Sequence, residues 1–371
     1  MRRRILIPYL SAGLGHLVHA QAIAFFLHRM RPDWDVRLMD AARDLDDALM
    51  QKTFVDFWRI VLKMPGPVSA ALFGMERLAP GLVRALNRRS FRTAVPKAAA
   101  YLAENPVDLI MSTHWACSHM FAMARGSRTV PIYSIYGELE TAYSIANCGA
   151  DLYFSLTGKV TDGLVRLGID RAIIRQVPLV VDPAMVRSDV PRDVLRRGLG
   201  IPPEHFAVVM SLGGEGIGRA IPFIEAFARD ARGATLVVLT GRNARLLDKI
   251  RRRVRSPAVV ALGYQEDLSP IIASADALAG KVGTGFAAVA IATGRPLIVT
   301  HIGAPNERGS MRFIVENGHG WYCPRPRMFV RKVSELARER ASCTESSGAA
   351  GRAVVQNGAE NIAAEIVDAL A

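Results

Sequence analysis

The sequence predicts an α/β protein made of two doubly wound, Rossmann-like domains. Three observations carry the prediction. Short apolar runs alternate with amphipathic helical stretches along most of the chain, the mark of parallel sheets covered by helices. The alternation starts twice, each time with a strand running into a glycine-rich loop: residues 5–9 before 11–16, and residues 207–212 before 213–218. Between the two series lies an interval marked by Pro178, Pro183, Pro191, Pro202 and Pro203. A chain of 371 residues, half of them hydrophobic, suits two cores better than one.

Residues 5–9 are a brief apolar run bounded by charge and glycine, as a strand buried on both faces requires. Residues 16–29 read as a helix with Leu17, Ala20, Ile23, Ala24 and Leu27 on one stripe. Residues 35–39, 108–112, 131–135 and 152–155 continue the strands. The second series runs through strand 207–212, a glycine turn, helix 221–230, and strands 235–240, 259–262, 277–280 and 296–300. Residues 342–351 are small and polar, as in a loop, and 353–371 read as a last helix. The expected division is a first domain over 1–180, a linker over 181–203, a second domain over 204–352 and the terminal helix 353–371.

The opening stretch RRRILIPYLSAGLGHLVHAQAIA has the outline of a secretory signal. Pro8, Gly13, Gly15 and His16 interrupt its apolar core, so a strand, a ligand loop and a helix are expected instead.

Formal net charge is +13, which implies an anionic partner. The basic residues cluster at Arg2, Arg3 and Arg4, at Arg84, Arg88, Arg89 and Arg92, and at Arg251, Arg252, Arg253 and Arg255. No basic motif interleaved with aromatics accompanies them, so nucleic acid is not the expected partner. Cys117, Cys148, Cys323 and Cys343 are too scattered for a zinc site or a disulfide framework, which suits a reducing compartment. No uncharged apolar run approaches the roughly 18–20 residues that span a bilayer.

Residues 54–92 depart from a plain doubly wound layout. Phe54, Phe57, Trp58, Val61 and Leu62 are expected on one helical face, with Arg59 and Lys63 off it. Beyond Pro65 and Pro67 the pattern resumes with Leu72, Met75, Leu78, Leu82 and Leu86, and Arg77, Arg84 and Arg88 lie nearby. A basic amphipathic segment with aromatics is suited to a bilayer interface, so this region reads as membrane-associating. The competing reading is a helical pair packed on its own domain.

The glycine loops are where ligands are expected. In the first, Gly13 and Gly15 let the backbone turn tightly before a helix N-terminus with free N–H groups. Val18 stands at the third position of the G-x-G-x-x-G fingerprint, so a nicotinamide dinucleotide is disfavoured. His16 follows the glycines, and imidazole is suited to accept a proton near neutral pH. The second loop holds Gly213, Gly214 and Gly216, a place for a diphosphate. The third is Gly241-Arg242-Asn243. The fourth, Lys281-Val282-Gly283-Thr284, joins a lysine and glycines to a helix start. The run Asp44-Leu45-Asp46-Asp47 mimics the D-x-D of metal-dependent sugar transferases, but it reads as a helix start, and no metal ligand is assigned.

Several stretches occur in a telling order: ILIPYLSAGLGHLVHAQAIA, VDLIMSTH, ADLYFSLTGKVTDGLVRLGI, VMSLGGEGIGR, LTGRNARLLDKI, LGYQEDLSPIIASADALAGKVGTG and NERGSMRFIVENGHG. The set resembles glycosyltransferases of the monogalactosyldiacylglycerol synthase and processive diacylglycerol glucosyltransferase type, and the related peptidoglycan lipid-linked N-acetylglucosaminyltransferase. It covers residues 5 to about 324. The resemblance implies the GT-B fold: an acceptor domain, a nucleotide-sugar domain, a cleft between them, and a final helix crossing back to the first domain. It implies inverting, metal-independent transfer of a hexose, from UDP-glucose or UDP-galactose, to a lipid such as diacylglycerol. It places the protein peripherally at the inner face of the cell membrane. The nucleotide sugar is a co-substrate, with no cofactor and no nucleic acid, and the oligomeric state stays open.

The loop with His16 looks like the family's acceptor-side G-x-G-H loop, and in the transfer reading His16 or Glu138 is the base. Gly13, Gly15, His114 and Trp58 are the candidate acceptor-side residues. Gly213, Gly214, Gly216, Asn243, Gly263, Tyr264, Lys281, Gly283, Thr284, Asn306 and Glu307 fall on the donor side, the last two where the family has a Gln-Glu pair for sugar hydroxyls. The chain departs from the pattern in three places. Val289 stands where the family has a glutamate for the ribose, and a valine accepts no hydrogen bond. Tyr136 and Gly137 replace a Thr-Asp pair, leaving Glu138 or Glu140 as the nearest carboxylates, and Ser310 replaces an asparagine. Two alternatives keep the scaffold: a nucleotide-sugar epimerase or soluble-acceptor transferase, and a degenerate, non-catalytic nucleotide-sugar-binding protein.

Overall fold

The computed structural model describes residues 2–13, 15–61, 64, 68, 71–74, 78–140, 143–214, 216, 220–339 and 357–371. It divides into two compact units. One holds Met1–Asp182, Ala304–Gly309 and Gln356–Ala371, the other Pro183–Gly303 and Ser310–Val355.

The first unit carries β1 (Arg4–Tyr9), β2 (Asp35–Asp40), β3 (Leu109–Ser112), β4 (Ile132–Tyr136), β5 (Leu152–Ser155) and β6 (Ile174–Gln176). They form one sheet in the order β2-β1-β3-β4-β5-β6, with every pair parallel. Parallel neighbours require crossovers, and helices supply them. Residues along β3 are buried throughout, the pattern of a strand covered on both faces. Phe91, Phe121, Ile110 and Tyr153 lie in the core. The helix Gly15–Met30 follows β1. The last helix, Gly358–Leu370, packs on it. Gly358 lets the start of this helix lie against the chain at Pro178, since a Cβ there would lie 2.0 Å from the Pro178 carbonyl oxygen.

The second unit carries β7 (Phe206–Ser211), β8 (Ala234–Leu239), β9 (Val259–Leu262), β10 (Ala277–Lys281), β11 (Leu297–His301) and β12 (Gly320–Tyr322). Its sheet is also parallel, in the order β12-β11-β10-β7-β8-β9. Phe206, Phe227 and Phe329 centre its core. In each sheet the order reverses beside the first strand, between β1 and β3 and between β7 and β10. Ligands of open α/β sheets bind outside the carboxyl ends of the strands at such switch points.

Three expectations change. Residues 183–203 were expected within a linker, yet from Pro183 onward the chain belongs to the second unit. The helix Arg192–Gly198 is anchored by Arg196, which is buried and 2.5 Å from Asp276, and by Arg192 at 2.7 Å from the same carboxylate. Prolines there start short helices rather than an extended tether. Next, Phe54 and Phe57 do not share a face. Phe54 and Val61 are buried, while Phe57 and Ile60 are exposed. Residues Gln51–Asp56 form a π-helix, whose i→i+5 turn shifts the phase that a 3.6-residue period would give. Leu62 lies outside the described residues. Finally, β6 and β12 were not foreseen, because three residues carry no periodicity. The expected loop 342–351 also lies outside the described residues.

Candidate functional site

In the first unit the site grows from the carboxyl ends of β1, β3 and β4. The loop after β1 turns at Gly13 with φ +106°, a conformation L side chains rarely adopt. Cβ atoms added at Gly13 or Gly15 would meet open space. His16 stands in the first turn of the helix Gly15–Met30. Thr113 and His114 follow β3, where His114 caps the helix Trp115–Ala124 by accepting the Ala116 N–H at its Nδ1, 3.1 Å away.

Pairing of β1 with β3 brings His16 onto Thr113 across 97 positions. The His16 Nδ1 lies 2.6 Å from the Thr113 carbonyl oxygen, and the Thr113 hydroxyl donates to the His16 carbonyl at 2.9 Å. A carbonyl oxygen only accepts, so Nδ1 carries the hydrogen and Nε2 keeps a lone pair. The His114 ring meets His16 edge-on, with centroids 4.4 Å apart. Burial lowers the His16 pKa against the opposing pull of the Thr113 carbonyl. His114 is held well below the ordinary histidine value by burial and by His16.

Glu138 follows β4. Burial pushes its carboxyl up to about 7, opposed by a hydrogen bond from Asn306 and reinforced by the charge of Glu307. Asn306 Nδ2 donates to Glu138 Oε1 at 2.9 Å, while the buried Asn306 Oδ1 accepts from no protein group. Gly309 permits this docking, since a Cβ there would sit 2.7 Å from that of Glu140. Asn306 and Glu307, expected on the donor side, therefore lie in the first unit beside Glu138. Trp58 is half-buried, with its ring against Phe73.

In the second unit the glycine turns after β7 and β8 interlock. A Cβ on Gly216 would lie 2.1 Å from the Thr240 carbonyl oxygen, and one on Gly241 2.3 Å from that of Gly214. Both residues have positive φ. Asn243 holds the turn, accepting the Leu246 N–H at 3.0 Å and donating to the Gly216 carbonyl at 3.1 Å. Its side chain thus shapes the Gly213–Gly214–Gly216 turn and caps the helix Ala244–Arg253. Gly263 and Tyr264 follow β9, and the Arg242 guanidinium lies over the exposed Tyr264 ring, 4.6 Å from its centre. Lys281 ends β10, and Gly283 precedes the helix Thr284–Ala292, whose N-terminus has no side-chain cap. Val289 lies within that helix, 2% exposed. Glu215, Ile217 and Gly218 lie outside the described residues.

Sequence reasoning missed Thr113 and His19, and named Arg242 only as part of a glycine loop. The i+3 spacing of His19 from His16 was the available signal for the second. The acidic run has structural work: Asp47 caps a helical turn by accepting the Met50 N–H at 2.8 Å, and Asp44 accepts the Asp40 N–H at 2.9 Å. Among the described residues, no three His, Cys, Asp or Glu side chains are grouped to hold a metal ion.

No family model matches the chain. It is 25% identical over 354 residues to a probable chloroplastic monogalactosyldiacylglycerol synthase of Glycine max, covering 90% of this chain and 65% of that one. It is 24% identical over 363 residues to the Spinacia oleracea enzyme, covering 92% and 67%. The chain is similar in sequence to the monogalactosyldiacylglycerol synthases. It spans about two thirds of the length of these synthases. Among solved structures, Anabaena HepE with UDP-glucose matches with a TM-score of 0.62 at 16% identity, over 99% of each chain. MurG of Acinetobacter baumannii matches at 0.59 and 12%, over 99% of each. A putative UDP-N-acetylglucosamine 2-epimerase of Listeria monocytogenes matches at 0.65 and 12%, over 100% and 96%. The fold is GT-B, as the resemblance to the synthases implies. Because an epimerase shares it, the fold alone does not choose the chemistry.

Proposed function

We propose that this protein is a glycosyltransferase that moves a hexose from a UDP-sugar to a lipid-borne hydroxyl at a membrane face. The observation that carries the reading is the His16–Thr113 pair. It presents Nε2 of a neutral imidazole, as a general base requires. The similarity to the synthases supports a lipid acceptor of the diacylglycerol class, and the likeness to HepE with UDP-glucose agrees with a UDP donor.

In this reading the acceptor hydroxyl oxygen attacks the anomeric carbon and its proton passes to His16 Nε2. The bond from the anomeric carbon to the diphosphate oxygen breaks, UDP departs with the bonding pair, and configuration inverts. Gly214 in the turn after β7, whose neighbours Gly213 and Gly216 give their N–H groups to the Ser211 hydroxyl and the Gly213 carbonyl, and the N-terminus of the helix Thr284–Ala292 offer N–H groups to the growing charge of the diphosphate. With those donors, the reading assigns that stabilisation to the protein rather than to a metal ion. Tyr264 with Arg242 offers a stacking surface for the base. Val289 gives the ribose no acceptor, so the base and diphosphate carry donor affinity.

Membrane attachment rests on Leu78, just before the helix Pro80–Ser90, and on Leu82 and Leu86, one turn apart within it; they are 88%, 58% and 55% exposed. Arg88, Arg89 and Arg92 are exposed just beyond them. Such a face suits peripheral binding to an anionic leaflet, at the inner face of the cell membrane. Among the described residues no helix is long and apolar enough to cross a bilayer. The direct test supplies UDP-galactose or UDP-glucose and dioctanoylglycerol in mixed micelles and follows glycolipid and UDP. Hexose release without glycolipid, or epimerised nucleotide sugar, would point to other chemistry.

A further inference from the structure

His19 stands out among the histidines of the first unit. Its side chain is 4% exposed, yet neither ring nitrogen has a hydrogen-bond partner. His16 and His114 are each paired to backbone groups. A buried polar group without a partner destabilises a fold, and such a group persists where a ligand supplies the missing bond. Its position is suited to that. One helical turn on from His16, it lies on the same side of the helix. Its ring occupies the space beside Gly137, where a Cβ would come within 2.9 Å of Cε1, and Gly137 precedes Glu138. The open backbone at Gly13 and Gly15 lies at the start of the same helix. Burial, with His16 nearby, pushes the His19 pKa down to about 3, so the ring is neutral with one donor and one acceptor nitrogen. A neutral imidazole is matched to an uncharged oxygen, not to a diphosphate.

We propose that His19 is a second ligand-contacting imidazole of the first unit, which hydrogen-bonds a hydroxyl or ester oxygen of the acceptor while His16 takes the proton. The ligand class rests on the glycosyltransferase reading; the presence of an unmet buried polar group beside Gly137 does not. His19 gives the acceptor its orientation, and His16 performs the proton transfer.

The test compares wild type with His19→Leu and His19→Asn, by thermal unfolding and by transfer from UDP-galactose and UDP-glucose to dioctanoylglycerol. Leucine removes the unpaired nitrogens and asparagine restores one donor and one acceptor. The expected results are a Tm for His19→Leu equal to wild type or about 2–4 °C above it, a tenfold or greater loss in kcat/KM for the acceptor, a donor KM within twofold, and partial recovery in His19→Asn. Transfer by His19→Leu at the wild-type rate would overturn the proposal. So would a Tm lower by several degrees, because the ring would then be satisfied within the fold, through a buried water for example. If wild type transfers neither sugar, the functional reading falls and the Tm comparison alone decides the role of His19.

Discussion

His16 and Thr113 hold each other twice, through the imidazole Nδ1 and the Thr113 carbonyl at 2.6 Å and through the Thr113 hydroxyl and the His16 carbonyl at 2.9 Å. The first bond selects the tautomer and the second ties the helix start to the end of β3. Replacing His16 with alanine is expected to lower transfer about 10²–10⁴-fold while leaving UDP binding unchanged, as read by calorimetry. Because burial lowers its pKa, the acid limb of kcat/KM is expected below the ordinary histidine value. An acid limb that survives in His16→Ala would assign the base elsewhere.

Glu138 makes stability depend on pH. Burial pushes its carboxyl up to about 7 in the fold, from an ordinary value of about 4.5. A raised pKa means the folded state holds the proton more tightly, so this contribution is complete below about 4.5 and is lost as pH rises to about 7. Glu138→Gln stays neutral. Its Tm relative to wild type is expected to rise between pH 4.5 and 7.5, and a flat difference across that range would refute the assignment.

Leu78, Leu82 and Leu86 test the membrane surface. Changing all three to serine, or Arg88, Arg89 and Arg92 to glutamate, is expected to weaken sedimentation with phosphatidylglycerol vesicles. Each arginine near an anionic surface is worth about 1 kcal/mol, roughly fivefold in affinity. Unaltered Tm would accompany the loss, since these side chains are exposed. Equal binding by the variants would place the surface elsewhere.

Asn243 links the donor-side turn to a helix start. Asn243→Ala removes a cap worth about 0.5–2 kcal/mol and frees the Gly216 carbonyl. A lower Tm and a weaker UDP affinity are expected together. Full UDP affinity in a destabilised variant would show that the turn does not hold the diphosphate.

The strand, glycine loop and helix at 4–30 were legible because each follows from neighbours in sequence: apolar residues in a row, glycines that turn, a 3.6-residue stripe. The same holds for β7 to β11. Within residues 51–61 the rule failed, since a π-helical turn changed which of Phe54 and Phe57 faced the core. Asn306 was legible as a polar residue of interest, but its partner Glu138 lies 168 positions away. Val289 was visible as a departure, and its burial was not.

By itself the sequence determined two parallel α/β units, the glycine turns that open them, and His16 at a helix start, because these depend on short-range backbone preference and apolar spacing. The tertiary structure alone decided that Thr113 sets the His16 tautomer, that Ala304–Gly309 joins the first unit beside Glu138, and that His19 is buried without a partner. Those facts depend on which strands pair and which loops meet, and pairing is a property of the whole sheet that no local pattern encodes.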